Sequence, residues 1–168
     1  GVVVGHVHLK VADLDRAIDE YQRLAALSPG DADLLTKIGD LYSRQGRWGA
    51  AEKAYGDALQ RQPRHAAARS GLAFTLAQQG EYEKSLTEYA DALSSKAEAY
   101  CAVAFVMNLR GKQQDAVRAY EEALRLEPAL ERARTALARI QQNPSAVAPA
   151  STQSANPIGG GMLPPGPT

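Results

Sequence analysis

The residues of this chain that could do chemistry are three histidines and one cysteine. His6 and His8 lie two positions apart near the start, His65 follows a proline, and Cys101 lies in the second half. Two histidines at this spacing share one face of a strand, but on a helix they point about 200° apart. We therefore predict no metal site at His6 and His8, and we expect His65 to be a solvated loop residue.

The remaining reactive groups also lack the arrangement that catalysis needs. Cys101 has no histidine near it in the pattern, so a small buried thiol is the usual explanation. The adjacent carboxylates Glu121 and Glu122 fit an exposed helix face. The run Gly159–Gly161 lacks the Lys-Ser or Lys-Thr that follows a phosphate-binding loop. We therefore predict a protein that is not an enzyme, with no catalytic residue, no metal and no cofactor.

The elements that must position any site are best defined between residues 32 and 63. Small and apolar residues recur three and four positions apart in two stretches, as on one stripe of each of two helices. A glycine, suited to a tight turn with positive φ, separates the stretches, and a proline closes the second. The pattern comprises Leu35, Ile38, Gly39, Tyr42, Gly46, Ala51, Tyr55, Ala58 and Pro63.

The same pattern recurs along the chain at one constant step, which is about 34 residues long. The step backwards leads to Ala17, Tyr21 and Pro29, and the step forwards leads to Gly80 and Tyr89. A further copy contains Gly111, Ala116, Tyr120, Ala123 and Pro128, but the step from Gly80 to Gly111 is three positions shorter. The third copy therefore lacks three residues and the closing proline, around residues 93–96.

This pattern resembles the tetratricopeptide repeat, a helix-turn-helix unit of about 34 residues, with Leu35 where the family usually has Trp. The resemblance implies an all-α fold, a right-handed superhelical solenoid. We predict units at 1–31, 32–65, 66–96 and 97–130, with a frayed start to the first unit. A capping helix should follow at 131–142, because a solenoid needs a polar outer face at its end.

Residues 5–24 carry a second resemblance. The stretch Gly5–Val11 followed by Asp13–Ile18 and Tyr21 is similar to the opening strand and helix of the glyoxalase/bleomycin-resistance family. There, the residue matching His8 would be a metal ligand, and the chain would be a metal-dependent enzyme. That family needs further ligands on later strands, and nothing after Leu24 has a strand pattern. We therefore favour the repeat.

Composition narrows the class of partner. Lysines and arginines number 19 and acidic residues 19, and no basic stripe is present, so we predict no nucleic-acid partner. No apolar run reaches the length of a membrane span, so we predict a soluble protein. A single cysteine leaves a cytoplasmic and a periplasmic location equally open. The uncharged residues 143–168 contain six of the nine prolines, and we expect this tail to be intrinsically disordered unless bound.

The family resemblance also implies a place for a partner. In tetratricopeptide repeats, the first helix of each unit lines a concave surface that commonly receives an extended peptide. Members that clamp a terminal carboxylate use Lys, Asn and Arg there, whereas this chain has Phe74 and Phe105 beside small residues. The implied peptide-binding residues are Lys37, Asp40, Arg44, Ser70, Phe74, Ala77, Gln78, Cys101, Phe105 and Asn108, with Thr36, Ser43, Gly71 and Ala102 beside them.

The leading hypothesis is an adaptor that binds an extended segment of a peptide or protein in a partly apolar groove. Ile158, Met162 and Leu163 are the largest apolar residues of the tail, so the tail itself could occupy the groove in cis or in trans. The alternative hypothesis is an assembly scaffold, for example in a secretion or pilus system, that acts through the ends of the solenoid or through self-association.

Overall fold

The computed structural model describes the backbone of residues 2–142 and the side chains of residues 12–142. These residues form eight α-helices and no strand. The all-α solenoid predicted from the sequence is therefore confirmed, whereas its right-handed twist stays a prediction. The helices are α1 (Val2–Leu27), α2 (Ala32–Arg44), α3 (Trp48–Arg61), α4 (Ala66–Gln79), α5 (Tyr82–Leu93), α6 (Lys96–Leu109), α7 (Gln113–Leu126) and α8 (Glu131–Gln142).

Three helix pairs, α2–α3, α4–α5 and α6–α7, repeat the same turn. Each turn contains a glycine with positive φ: Gly46 at 70°, Gly80 at 92° and Gly111 at 75°. Side chains rarely adopt this conformation, so glycine is the residue that permits so tight a connection. The structure thus confirms the turn predicted at Gly46 and repeats it in the next two units.

The junction between α5 and α6 explains the missing residues of the third unit. Where the other units close with a proline, Ser94 adopts the left-handed conformation with φ of 54°, and it is the one non-glycine residue with positive φ in the described chain. Ser95 then caps α6, since its side chain accepts a hydrogen bond from the Glu98 amide at 3.2 Å. Two serines therefore replace the longer, proline-containing connection.

The contact inside each helix pair is built from small residues around one tyrosine. The Tyr55 ring lies between two glycines, and a Cβ atom added at Gly39 would fall 2.6 Å from that ring. A Cβ atom added at Gly71, on the next unit, would overlap the same ring. Tyr55 is 2% exposed, and its hydroxyl donates a hydrogen bond to Asp40 at 2.8 Å. Small side chains are therefore what lets the helices approach one another.

The first unit departs from the prediction. The sequence predicts a helix-turn-helix unit with a frayed start over residues 1–31, but Val2–Leu27 is one continuous helix. Ala12 stands at the position of the turn glycines Gly46, Gly80 and Gly111, and alanine favours the helix over a turn with positive φ. The opening strand implied by the glyoxalase resemblance is not formed either, so that alternative is wrong at its first element.

The last helix packs on the other end. Ala133 of α8 and Leu130 before it are buried against the cluster formed by α6 and α7, while Arg132 and Arg139 on α8 are exposed. A helix is therefore present at 131–142 as predicted, whereas its role as a cap stays a prediction. No helix of the described chain combines the length with the apolar character that a membrane crossing requires.

Candidate peptide-binding groove

The first helices of the successive pairs lie side by side. Helix α2 contacts α4, α4 contacts α6, and α6 contacts α8, so these four helices form one continuous surface. The second helices α3, α5 and α7 pack behind them. This is the arrangement in which residues one repeat apart become neighbours on a single face.

This surface contains a cavity of about 630 Å³ where α4, α6 and α8 meet. Its floor consists mainly of aromatic and small side chains, and α8 provides one polar wall. A cavity of this size and character suits an apolar side chain with a few polar contacts around it. The lining residues are Phe74, Tyr89, Cys101, Ala102, Phe105, Tyr120, Glu131, Arg132, Thr135, Ala136 and Arg139.

The two phenylalanines of the cavity have different surroundings. Phe74 is partly buried and packs edge-on against Trp48, with 6.2 Å between the ring centroids. Phe105 is 53% exposed. A large apolar side chain that is half exposed inside a concave cavity marks a binding surface more often than a core. Phe105 is therefore the side chain of this pair that a ligand could cover.

The floor of the cavity carries no charge near neutral pH. Burial raises the pKa of the Cys101 thiol, which keeps it protonated and unreactive. Burial also raises the pKa of Tyr89 and of Tyr120 to about 12, so both hydroxyls stay neutral. An uncharged floor of this kind favours an apolar ligand group.

Charge is confined to the wall formed by α8. Arg132 is paired with Glu98 of α6, which ties α8 to its neighbour. Arg139 is exposed and has no carboxylate partner among the described residues. The rim therefore offers one cation that is available to a ligand next to the apolar floor.

The structure brings only some of the predicted groove residues together. Phe74, Cys101 and Phe105 line the cavity, as does Ala102 from the wider prediction. The others lie outside the cavity lining: Lys37, Asp40 and Arg44 on α2, Ser70 and Gln78 on α4, and Asn108 on α6.

Ala77 is a wrong prediction, because it is fully buried and no ligand can reach it. Thr36 is buried too, and its hydroxyl donates to the Ala32 carbonyl at 2.8 Å. Both predictions assume that equivalent residues of every unit face the groove. The packing of adjacent helices instead buries some of these residues.

The residues that sequence reasoning missed belong to α8. Thr135, Ala136 and Arg139 lie one full repeat step after Cys101, Ala102 and Phe105, so the step itself places them on the groove surface. The sequence prediction treats α8 only as a cap, so it does not use the repeat step to assign groove residues to this helix. Helix α8 occupies the position of a first helix and contributes to the cavity lining as α4 and α6 do.

His65 also differs from its prediction as a solvated loop residue. It is 9% exposed and caps α4, because its Nδ1 accepts a hydrogen bond from the Ala68 amide at 3.1 Å. Its Nε2 lies 2.9 Å from a carboxylate oxygen of Asp33, so the ring joins α4 to α2. Acceptance at Nδ1 requires the tautomer with the proton on Nε2. His65 is thus structural, and no cluster of three metal-ligating side chains exists in the described region.

Comparison with known proteins gives a family match over part of the chain. The sequence model of the tetratricopeptide repeat matches residues 36–100. BBSome complex member BBS4 of Bos taurus is 30% identical over 88 residues, which is 52% of this chain and 17% of that protein. Stress-induced-phosphoprotein 1 of Caenorhabditis elegans is 28% identical over 128 residues, 74% of this chain and 40% of that protein. The chain thus spans well under half the length of these relatives.

Solved structures share the fold. The crystal structure of MamA superposes with a TM-score of 0.57 at 21% identity, over 79% of this chain and 80% of that one. TTC0263, a thermophilic TPR protein in Thermus thermophilus, gives a TM-score of 0.55 at 21% identity, over 82% of this chain and 77% of that one. Identities this low establish the architecture alone. The family match at residues 36–100 and the shared architecture together identify a tetratricopeptide-repeat region in this chain.

Proposed function

We propose that this protein is an adaptor whose groove between α4, α6 and α8 holds an extended segment of a protein partner. Tetratricopeptide-repeat proteins are in general non-enzymatic protein-interaction modules, and this chain contains a region of that family with their fold. The proposal that the partner binds in this groove rests on one observation: Phe105 is 53% exposed inside an apolar cavity of about 630 Å³.

An apolar side chain of the partner inserts beside Phe105 and covers it. The floor contributes Ala102 and Ala136, whose small size leaves room, and the neutral hydroxyls of Tyr89 and Tyr120. Burial of one large apolar anchor stabilises a complex by about 1–3 kcal/mol. Backbone groups of an extended segment remain free to meet the polar side chains of α8.

Affinity capture with Phe105→Ala as bait tests the proposal. Partner recovery should fall by about tenfold if the anchor contributes about 1.4 kcal/mol. Leu126→Ala is the matched control, because Leu126 is also an exposed large apolar residue, at 39%, but lies on α7 outside the cavity lining. Equal recovery with both variants would contradict binding at the cavity.

The chain's own tail is a competing occupant. Ile158, Met162 and Leu163 lie outside the described residues, and the tail follows Gln142, the last residue of the groove-forming helix α8. The chain from Gln142 to Ile158 can span about 50 Å when extended, enough to turn back to the cavity. Removal of residues 143–168 should then raise the affinity for other segments, and an unchanged affinity would exclude competition.

An assembly scaffold is the second candidate function. It is supported by two large apolar side chains that are exposed outside the cavity lining, Leu27 on α1 at 81% and Leu109 on α6 at 60%. A scaffold would associate through such surfaces and leave the groove unused. Loss of partner capture with Phe105→Ala and unchanged self-association would favour the adaptor.

A further inference from the structure

The two layers of helices carry opposite excesses of charge. Helices α2, α4, α6 and α8, which form the shared surface, carry seven lysines and arginines and four carboxylates. Helices α3, α5 and α7, which pack behind them, carry five lysines and arginines and eight carboxylates. The charges of the whole chain balance, so its neutrality conceals a basic front layer and an acidic back layer. A surface with an excess of positive charge attracts acidic ligands and repels basic ones.

Every carboxylate of the front layer already has a partner within the protein. Two of these carboxylates pair with arginines, one lies 2.9 Å from a histidine nitrogen, and one accepts a hydrogen bond from a tyrosine hydroxyl at 2.8 Å. A carboxylate whose charge is compensated in this way opposes an acidic ligand less than a free one does. The four pairs are Asp33–His65, Asp40–Tyr55, Glu98–Arg132 and Glu131–Arg134.

Three exposed cations of the same layer have no carboxylate partner among the described residues. They are Lys37 and Arg44 on α2 and Arg139 on α8. All 19 acidic side chains of the sequence lie from Asp13 to Glu131, within the part of the chain whose side chains are described. The three cations therefore mark the α2 and α8 edges of the surface, and their charges are available to a ligand.

The surface between these two edges is apolar. Phe105 on α6 is 53% exposed, and Leu109, one turn later on the same face of the helix, is 60% exposed. The one charged residue of α4 is Arg69, and it is engaged by Glu88 and Asp91 of α5. The front layer thus presents an apolar centre with an unpaired cation on each side.

Helix spacing converts this arrangement into a sequence pattern for the ligand. Packed helices lie about 8–10 Å apart, and an extended chain advances about 3.3 Å per residue. A segment that crosses the first helices therefore reaches the next helix about every three residues. With its apolar anchor at Phe105, the segment meets Arg139 about three residues to one side. It meets Lys37 and Arg44, two helices away, about six residues to the other side.

We propose that the partner segment is acidic on both sides of its apolar anchor. One carboxylate, about three residues from the anchor, pairs with Arg139, and a second, about six residues in the other direction, pairs with Lys37 or Arg44. This inference rests on the proposed function and names the chemistry of the partner. The chain's own tail has no charged residue, so it lacks these pairs and should bind more weakly than such a segment.

Synthetic peptides with blocked ends test the preference on the full chain by fluorescence anisotropy. The acidic probes contain one Phe, with Asp three residues to one side and six to the other, in an uncharged Ser/Gly/Gln background. Two probes carry this spacing in the two chain directions. The amide probes replace both Asp by Asn. The better acidic probe should bind about tenfold more tightly than its amide form, because each exposed ion pair contributes a few-fold.

Arg139→Gln assigns one pair to one residue. This variant should bind the acidic probe and the probe with Asn only at the three-residue position equally well, because the partner of that Asp is gone. Arg61→Gln on α3 is the matched control, since Arg61 is also exposed without a carboxylate partner but belongs to the back layer. A probe with Lys in place of that Asp should bind Arg139→Glu as tightly as the acidic probe binds the unmodified chain. This restoration also shows that the variant is folded.

Four results would each overturn the acidic preference: no binding of either acidic probe, equal affinity for acidic and amide probes, an unchanged preference in Arg139→Gln, or tighter binding of a single-stranded oligonucleotide than of the acidic probes. Phe105→Ala separates this inference from the proposed function. If it weakens acidic and amide probes that bind equally, the groove is supported and the acidic preference fails. If it weakens neither probe, the apolar anchor fails, and the proposed function fails with it.

Discussion

Two sets of equivalent positions behave in opposite ways along this solenoid. On the second helices, Tyr55, Tyr89 and Tyr120 repeat one residue type, and all three are buried. On the first helices, the position that recurs one repeat apart is occupied by Asp40, Phe74, Phe105 and Arg139. The first set holds helices together, so its residue type is fixed by packing. The second set lies on the shared surface of the first helices, where each unit carries a different residue type on the same scaffold.

The groove positions differ in what they contact as well as in type. Asp40 accepts a hydrogen bond from the Tyr55 hydroxyl, and Phe74 packs on Trp48. Phe105 and Arg139 lie in the cavity lining and are exposed. Asp40 and Phe74, on α2 and α4, therefore support neighbouring side chains, while Phe105 and Arg139, on α6 and α8, are open to solvent.

Truncation of one aromatic residue from each set should give the largest contrast. Tyr55→Ala should lower the free energy of unfolding by about 3–5 kcal/mol, because it leaves a cavity between two glycine-lined helices. Phe105→Ala should lower it by less than about 1 kcal/mol, since half of that ring is already in water. Chemical denaturation of both variants measures the difference, and similar losses would refute the distinction between scaffold and groove.

Enlargement of a scaffold glycine should have the next largest effect. Gly39→Ala places a Cβ atom 2.6 Å from the Tyr55 ring and should cost about 1–3 kcal/mol of unfolding free energy. Gly56→Ala is the control, because no atom lies within 4 Å of the added Cβ and the glycine is in the middle of α3. That variant should stabilise the fold by about 0.5–1 kcal/mol. If Gly39→Ala raised the free energy of unfolding instead, the Tyr55 ring would be able to move away from the added Cβ atom.

Alkaline pH should weaken the tyrosine set selectively. Burial raises the pKa of Tyr89 and Tyr120 from 10.0 to about 12. A group with a raised pKa contributes stability that is complete below pH 10 and is lost as pH rises towards 12. The unmodified chain should therefore lose unfolding free energy across this window. Tyr120→Phe should lose less over the same window, and an equal pH dependence would show that Tyr120 does not ionise on unfolding.

Removal of the cap at the start of α4 should have the smallest effect. His65→Ala deletes the Nδ1 acceptor for the Ala68 amide and should cost about 1 kcal/mol, the usual worth of a helix N-cap. His65→Asn keeps a side-chain acceptor at this position and should recover most of the loss. Thermal unfolding compares the two, and identical midpoints would place the contribution of His65 in packing instead.

The sequence is sufficient for the repeat step, the helix pairs and the shortened third unit, because glycine, proline and small residues impose backbone geometry locally. The sequence also predicts that Phe74, Cys101 and Phe105 lie close together, because residues one repeat step apart become neighbours in a solenoid. The repeat step does not predict that Ala77 and His65 are buried. Both depend on how one helix covers another, which a single stripe of residues does not report.

The two ends of the chain are predicted wrongly or incompletely for a different reason. The second half of residues 1–31 fits the step and so predicts a helix-turn-helix unit, although Ala12 in place of glycine indicates a continuous helix. The terminal place of α8 predicts a cap, although the step from Phe105 leads to Arg139. In both cases a single residue at the repeat step, Ala12 or Arg139, carries the information that the prediction does not use.

The two-serine junction between α5 and α6 has a geometric consequence for recognition. Phe74 and Phe105 lie on either side of it, so the length of this connection sets the offset between the two rings that border the cavity. A connection of ordinary length would change the offset between the two rings and therefore the shape of the cavity. The shape of this cavity thus depends on two residues, Ser94 and Ser95, that are not part of its lining.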